Sequence, residues 1–160
     1  MSNTDIENSW NYIRRSIDRI FTCLEGVDGE DLNWRPLSNA NSLYVLVTHV
    51  MANVELNILG VLCGLEILRN RDDEFKARGI SIKPLIEKWH EIQEKISANL
   101  SKLPPSALDQ EYVHPRRGKI TGRDHLIFIA RHMAEHVGHA ELTRDLLFTA
   151  RGRALPFREF

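Results

Sequence analysis

Apolar residues recur at steps of three and four through most of this chain, and no stretch alternates with period two long enough to predict a sheet. That spacing restricts the fold to packed helices. Ile6, Trp10, Ile13, Ile17, Ile20, Phe21 and Leu24 carry a first helix over about 4–24, ended by Gly26 and Gly29. An irregular segment over 32–41 follows, because Pro36 disfavours helix at Arg35. A second helix starts at the N-cap residue Ser42 and runs to about Arg69. Within it, Gly60 and Gly64 either weaken the helix or permit close packing. Residues 70–80 are charged, end near Gly79 and read as a loop. A third helix covers about 83–103, with Pro84 at a tolerated early position and Ile86, Trp89, Ile92, Ile96 and Leu100 as its stripe. Pro104-Pro105 stops it. After a long connection over 104–120, a fourth helix starts at Thr121 and runs to about Thr149. Four helices of this length predict an all-α four-helix bundle. The tail, residues 150–160, is basic and aromatic.

The chain has 160 residues, which suits a single domain over 1–160. A net charge of −1 gives no overall field to recruit nucleic acid or an anionic membrane, so neither partner is expected. The segment from Met1 to Asn8 is polar and acidic, unlike a secretory signal. The apolar run from Leu43 to Leu68 is interrupted by His49, Asn53, Glu55, Asn57 and Glu66, so it reads as a core helix and not a membrane span. Cys23 and Cys63 form no close motif and read as buried free thiols. The expected compartment is the cytoplasm.

Three histidines carry the chemistry. His132 and His136 are four apart, and a helix turns about 100° per residue, so their rings stack on one face. With His132 at zero, His136 falls near +40°, on the shoulder of the apolar face, and His139 near −20°, at its rim. His125 lies at the start of that helix and reads as solvated. His49 shares its face with Val45, Leu46, Asn53 and Leu56, and so points into the bundle. A lone histidine there is usually a packed imidazole with its polar atoms satisfied. The pair changes the balance. Two buried imidazoles repel if both are protonated, whereas a divalent metal takes both as neutral ligands.

Other patterns are weaker. His132-Met133-Ala134-Glu135-His136 matches the inverted zinc-peptidase pattern, with Glu135 as general base, but the chain is small for a peptide cleft. Glu87-x-x-His90 has the spacing of a carboxylate di-iron site, but no second copy exists. The basic run His114-Pro115-Arg116-Arg117-Gly118-Lys119 reads as a solvated connection or, more sharply, as an anion-binding lip. Arg144 falls on the apolar side of its helix, where it snorkels, pairs with a carboxylate or faces a partner chain. Trp10, Trp89 and Phe128 read as core.

Leu32-Asn33-Trp34-Arg35-Pro36, Asn41-Ser42-Leu43 followed by His49, and His132-x-x-x-His136-x-Gly138 occur in that order along nearly the whole chain. Together they resemble the DinB/YfiT-like superfamily of metalloenzymes. The family's ligands map onto His49, His132 and His136. Two positions depart from its pattern: His139 stands where many members carry Gln, and Asn41 replaces the Trp of Trp-Ser-Ile. The resemblance implies an up-down-down-up bundle, frequent homodimers, zinc or nickel as the metal, and low-molecular-weight thiols as cosubstrates. Three neutral imidazoles leave a coordination position open, where water or a thiol loses its proton more easily. One functional reading is therefore a metal-dependent enzyme acting on a small molecule, a thiol-dependent transferase or isomerase, or a hydrolase. Glu135, His139 and Asn53 are its candidates for proton handling. The other is a non-catalytic homodimeric interaction or metal-binding bundle, supported by the lack of any clear nucleophile.

Overall fold

The computed structural model describes residues 4–156. Residues 1–3 of the polar and acidic N-terminal segment and 157–160 of the basic and aromatic tail lie outside the described residues. The chain forms α1 (Thr4–Thr22), a 3₁₀ turn (Gly29–Asn33), α2 (Leu43–Val54) with a π-helical continuation (Glu55–Leu62), α3 (Arg71–Lys76) and α4 (Lys83–Leu100). A second 3₁₀ turn (Pro105–Leu108), a hairpin of β1 (Glu111–His114) and β2 (Gly118–Thr121), and α5 (Gly122–Ala150) complete it.

The expected stripes are the buried ones. Ile6, Trp10, Ile13, Ile17 and Ile20 of α1 meet Trp89, Ile92, Ile96 and Leu100 of α4 in one continuous core. Each fully buried isoleucine contributes about 1.5–3 kcal/mol. On α4 the first member of the stripe is Leu85, not Ile86, which is only half-buried.

Named pairs set the helix directions. Asp5 pairs with Arg123 and Arg19 with Glu141, so α1 and α5 run parallel. Trp10 bonds Ser97 and Trp89 bonds Asp18, so α1 and α4 run antiparallel. His49 meets His136 and Asn57 meets His125, so α2 and α5 run antiparallel. The order is up, down, down, up, as the family resemblance implies.

Three expectations need correction. The second helix ends at Cys63 and not at Arg69, because Gly64 adopts φ +71°, a left-handed stop that side chains disfavour. Its last turns widen to i+5 hydrogen bonds, as in Cys63 N–H to the Ile58 carbonyl. Leu43–Leu62 is long and apolar enough to cross a membrane, but most of it is buried in the core. The segment 70–80 is not all loop. Asn70 caps α3 by accepting the Asp72 N–H, and Asp72, Asp73 and Glu74 suit the positive end of its dipole. Finally, the 104–120 connection holds the hairpin, with Gly118 at φ +70° in its turn. Four-residue strands are too short to leave a periodic signal in the sequence.

Ser42 and Thr121 are the N-caps of α2 and α5. Ser42 Oγ accepts the Val45 N–H and Thr121 Oγ1 the Asp124 N–H.

Candidate metal centre

The antiparallel run of α2 beside α5 brings His49 against the His132/His136 pair. Ring centroids lie 5.8 Å (His49–His132), 5.0 Å (His49–His136) and 4.5 Å (His132–His136) apart. One nitrogen from each ring lies within 4.8 Å of the others. His49 and His136 are buried, while the His132 side chain keeps 23% exposure, so the cluster opens past His132.

The nitrogens are oriented from behind. His49 Nδ1–H donates to Glu74 Oε2 at 2.8 Å, which leaves Nε2 as a lone pair for the cluster. Glu74 is itself clamped by Arg69 through Nε and Nη2. Burial pushes the Glu74 carboxyl up, but the bonds from Arg69 and His49 outweigh it and hold the group below the usual carboxylate range. On the far side, His132 Nδ1 faces Glu135 Oε2 at 3.6 Å. His132 Nε2 and His136 Nε2 face each other at 3.3 Å, and His136 Nδ1 is buried without a partner. Burial lowers the pKa of all three histidines, that of His136 to about 3, and so keeps them in the neutral, ligating form.

This donor set fits a divalent cation. Two nitrogens bound at about 2.05 Å in tetrahedral geometry lie roughly 3.3 Å apart, the spacing of the two Nε2 atoms. Three neutral imidazoles from two helices would hold the ion, with the cluster open to solvent past His132.

The other candidates fall into place around this cluster. Asn53 is buried below His49, and its side chain and carbonyl both accept from Asn57 Nδ2, at 3.1 and 2.8 Å. Glu135 is half-exposed, with Oε2 3.6 Å from His132 Nδ1. His139 is exposed, with its ring 5.5 Å from that of His136, and lines a separate groove with Leu142 and Leu146. His90 is exposed on α4. Arg144 is largely buried and bonds the neighbouring Asp145 carboxylate at 3.0 Å, the pairing alternative.

Two expectations are overturned. His125 is fully buried, not solvated: its Nε2–H donates to the Asn57 carbonyl at 2.9 Å. The π turns of α2 bring that carbonyl onto the α5 side. Phe128 is not core. It is half-buried, stacks on His132 with an interplanar angle of 14°, and lies beneath the Arg117 guanidinium. Sequence reasoning also missed Glu74, Arg69 and Phe75, whose ring packs 5.0 Å below Arg71 and against His49. The signal was present in Asn70 followed by three acidic residues, the mark of a short capped helix.

Parallel outer helices, an inner pair running opposite to them and three converging imidazoles define a helical-bundle protein of the DinB-like class. The profile of the mycothiol S-transferase family matches residues 10–148, and the chain belongs to that family. Two solved structures share the fold. A conserved protein from Enterococcus faecalis superposes with a TM-score of 0.71 at 16% identity, over 89% of this chain and 96% of that one. A DinB-like protein from Bacillus cereus gives 0.68 at 17% identity, over 96% and 95%. No curated protein matches the chain.

Proposed function

We propose that this chain is a metal-dependent thiol S-transferase, with zinc or nickel held by His49, His132 and His136. The observation that carries the reading is the convergence of three neutral imidazole nitrogens within 4.8 Å of one another, two of them at the 3.3 Å spacing of tetrahedral ligands. A divalent ion with no anionic ligand keeps its charge and lowers the pKa of a thiol bound at its open position. Glu74 holds His49 in the ligating tautomer, and Arg69 keeps Glu74 ionised. Asn53 and Asn57 line the approach to His132 and offer polar atoms to orient a reactant. Glu135 positions His132.

The chain offers no thiolate of its own among the described residues. Cys23 is buried, and burial pushes the Cys63 thiol up to about 11. The nucleophilic sulfur therefore comes from a small thiol, and the family name points to mycothiol. Transfer forms a carbon–sulfur bond at an electrophilic carbon, whose leaving group departs with the bonding pair.

The test is elemental analysis of protein purified without a histidine tag, followed by conjugation of mycothiol to 1-chloro-2,4-dinitrobenzene with chloride release. One metal per chain, lost in His49→Ala and His132→Ala, with conjugation lost in parallel, is the expected result. Protein that retains no metal and gains no thermal stability from added zinc or nickel would instead be a non-catalytic bundle.

A further inference from the structure

The opening past His132 leads into a cavity of about 360 Å³, within the range that holds small ligands. Arg69, Arg71, Arg116 and Arg117 line it, and no carboxylate side chain does so among the described residues. Arg69 is neutralised by Glu74 behind the wall. For Arg71, Arg116 and Arg117 there is no side-chain bond to a carboxylate among the described residues, so three cationic groups surround one small polar space without counter-charge.

Two of the three are held in place. Arg71 rests on the Phe75 ring, which packs on His49, and Arg117 rests on the Phe128 ring, which packs on His132. Each guanidinium is thus fixed through one aromatic ring to one histidine of the cluster. Stacking occupies the flat face and leaves the N–H edge free, which suits paired hydrogen bonds to an oxyanion. Asn53 and Asn57 supply neutral polar atoms between these two supports. A neutral or cationic ligand would leave the three charges uncompensated as it displaced their water.

We propose that the reactant occupying this cavity carries a carboxylate or phosphate, which Arg71 and Arg117 bind while the rest of the molecule reaches the histidine cluster. This names a substrate class for the proposed transferase and rests on that reading for its chemistry, but the anion subsite itself needs no metal.

The test is calorimetric titration of metal-free and zinc-loaded protein with succinate, with inorganic phosphate, and with succinamide as a neutral shape control. Succinate or phosphate, whichever matches the native group, is expected to bind with an affinity that falls as salt rises, while succinamide does not bind. Arg71→Gln and Arg117→Gln are each expected to weaken binding roughly tenfold or more. Arg117→Lys keeps the charge without the fork, so it recovers part of the loss and guards against an unfolding artefact. Arg15→Gln, on the exposed surface of α1, leaves affinity unchanged. The proposal falls if neither anion binds, if succinamide binds as well as succinate, or if Arg15→Gln weakens binding as much as Arg117→Gln. Anion binding by protein that never retains metal would sink the transferase reading and leave this subsite standing; metal retention without anion binding would do the reverse.

Discussion

Glu74→Gln changes one oxygen for one NH₂ group and tests how the cluster is oriented. In the native protein the carboxylate accepts from three donors: His49 Nδ1–H, Arg69 Nε–H and Arg69 Nη2–H. A glutamine has one acceptor oxygen, so one side of the contact becomes donor against donor. If its NH₂ faces His49, the ring relieves the clash by moving its proton to Nε2, and the nitrogen aimed at the cluster can no longer ligate. In either orientation Arg69, a guanidinium with only 13% exposure, loses its counter-charge. Breaking a buried pair this way costs roughly 3–5 kcal/mol. The lower end applies, because Arg69 also borders the cavity and can take up water. Loss of a carboxylate behind a ligating histidine typically weakens metal binding about 10–100-fold. Zinc affinity by competition with a chromophoric chelator, and stability by urea denaturation of the metal-free protein, measure the two effects separately. Removing both charges in Arg69→Met, Glu74→Met should restore much of the stability, since no unpaired cation remains, while zinc binding stays weak because nothing accepts from His49 Nδ1–H. Full recovery of zinc affinity in the double variant would refute the claim that Glu74 acts by orienting His49.

Acid should destabilise the metal-free protein before any carboxylate titrates. His136 has a folded pKa of about 3 against 6.5 unfolded, so below 6.5 the unfolded chain binds the extra proton and stability falls as pH drops towards 3, with no change above 6.5. At pH 5 the loss is roughly 2 kcal/mol from this residue, and urea midpoints between pH 7.5 and 5 will show it; His136→Leu should flatten the slope. Arg35→Ala removes bonds to the Ala40 and Phe75 carbonyls and should weaken zinc binding several-fold from outside the cluster, read by the same chelator competition. Ile17→Ala empties a fully buried site and should cost roughly 2–5 kcal/mol in urea denaturation with unchanged zinc affinity.

Most of the helical frame was legible because each long helix carries enough turns for its buried stripe to repeat. The three histidines were legible for the same reason: wheel positions on α2 and α5 follow from spacing alone. What escaped notice lies in short elements. α3 spans six residues and the strands four each, too few for a period to declare itself, so Glu74 and the hairpin arginines remained a charged loop and a basic connection. His125 was misplaced by its position at a helix start, where solvation is the ordinary expectation. The Asn57 carbonyl that holds it comes from a helix more than sixty residues away, a pairing that local pattern does not encode.

The Leu32-Asn33-Trp34-Arg35-Pro36 segment gains a physical meaning from these contacts. Leu32 anchors it in the core. Asn33 brackets Gly79, with Oδ1 accepting the Gly79 N–H and Nδ2 donating to its carbonyl, at 3.0 and 2.9 Å. Arg35 reaches the Phe75 carbonyl at 3.2 Å. Together they fix α3 from both ends of its exit, and α3 carries Glu74 behind His49 and Phe75 beneath it. A six-residue helix is too short to hold itself in water, so this side of the cluster is only as ordered as the segment that pins it. The segment itself contributes no metal ligand; its hydrogen bonds place the carboxylate that selects the His49 tautomer.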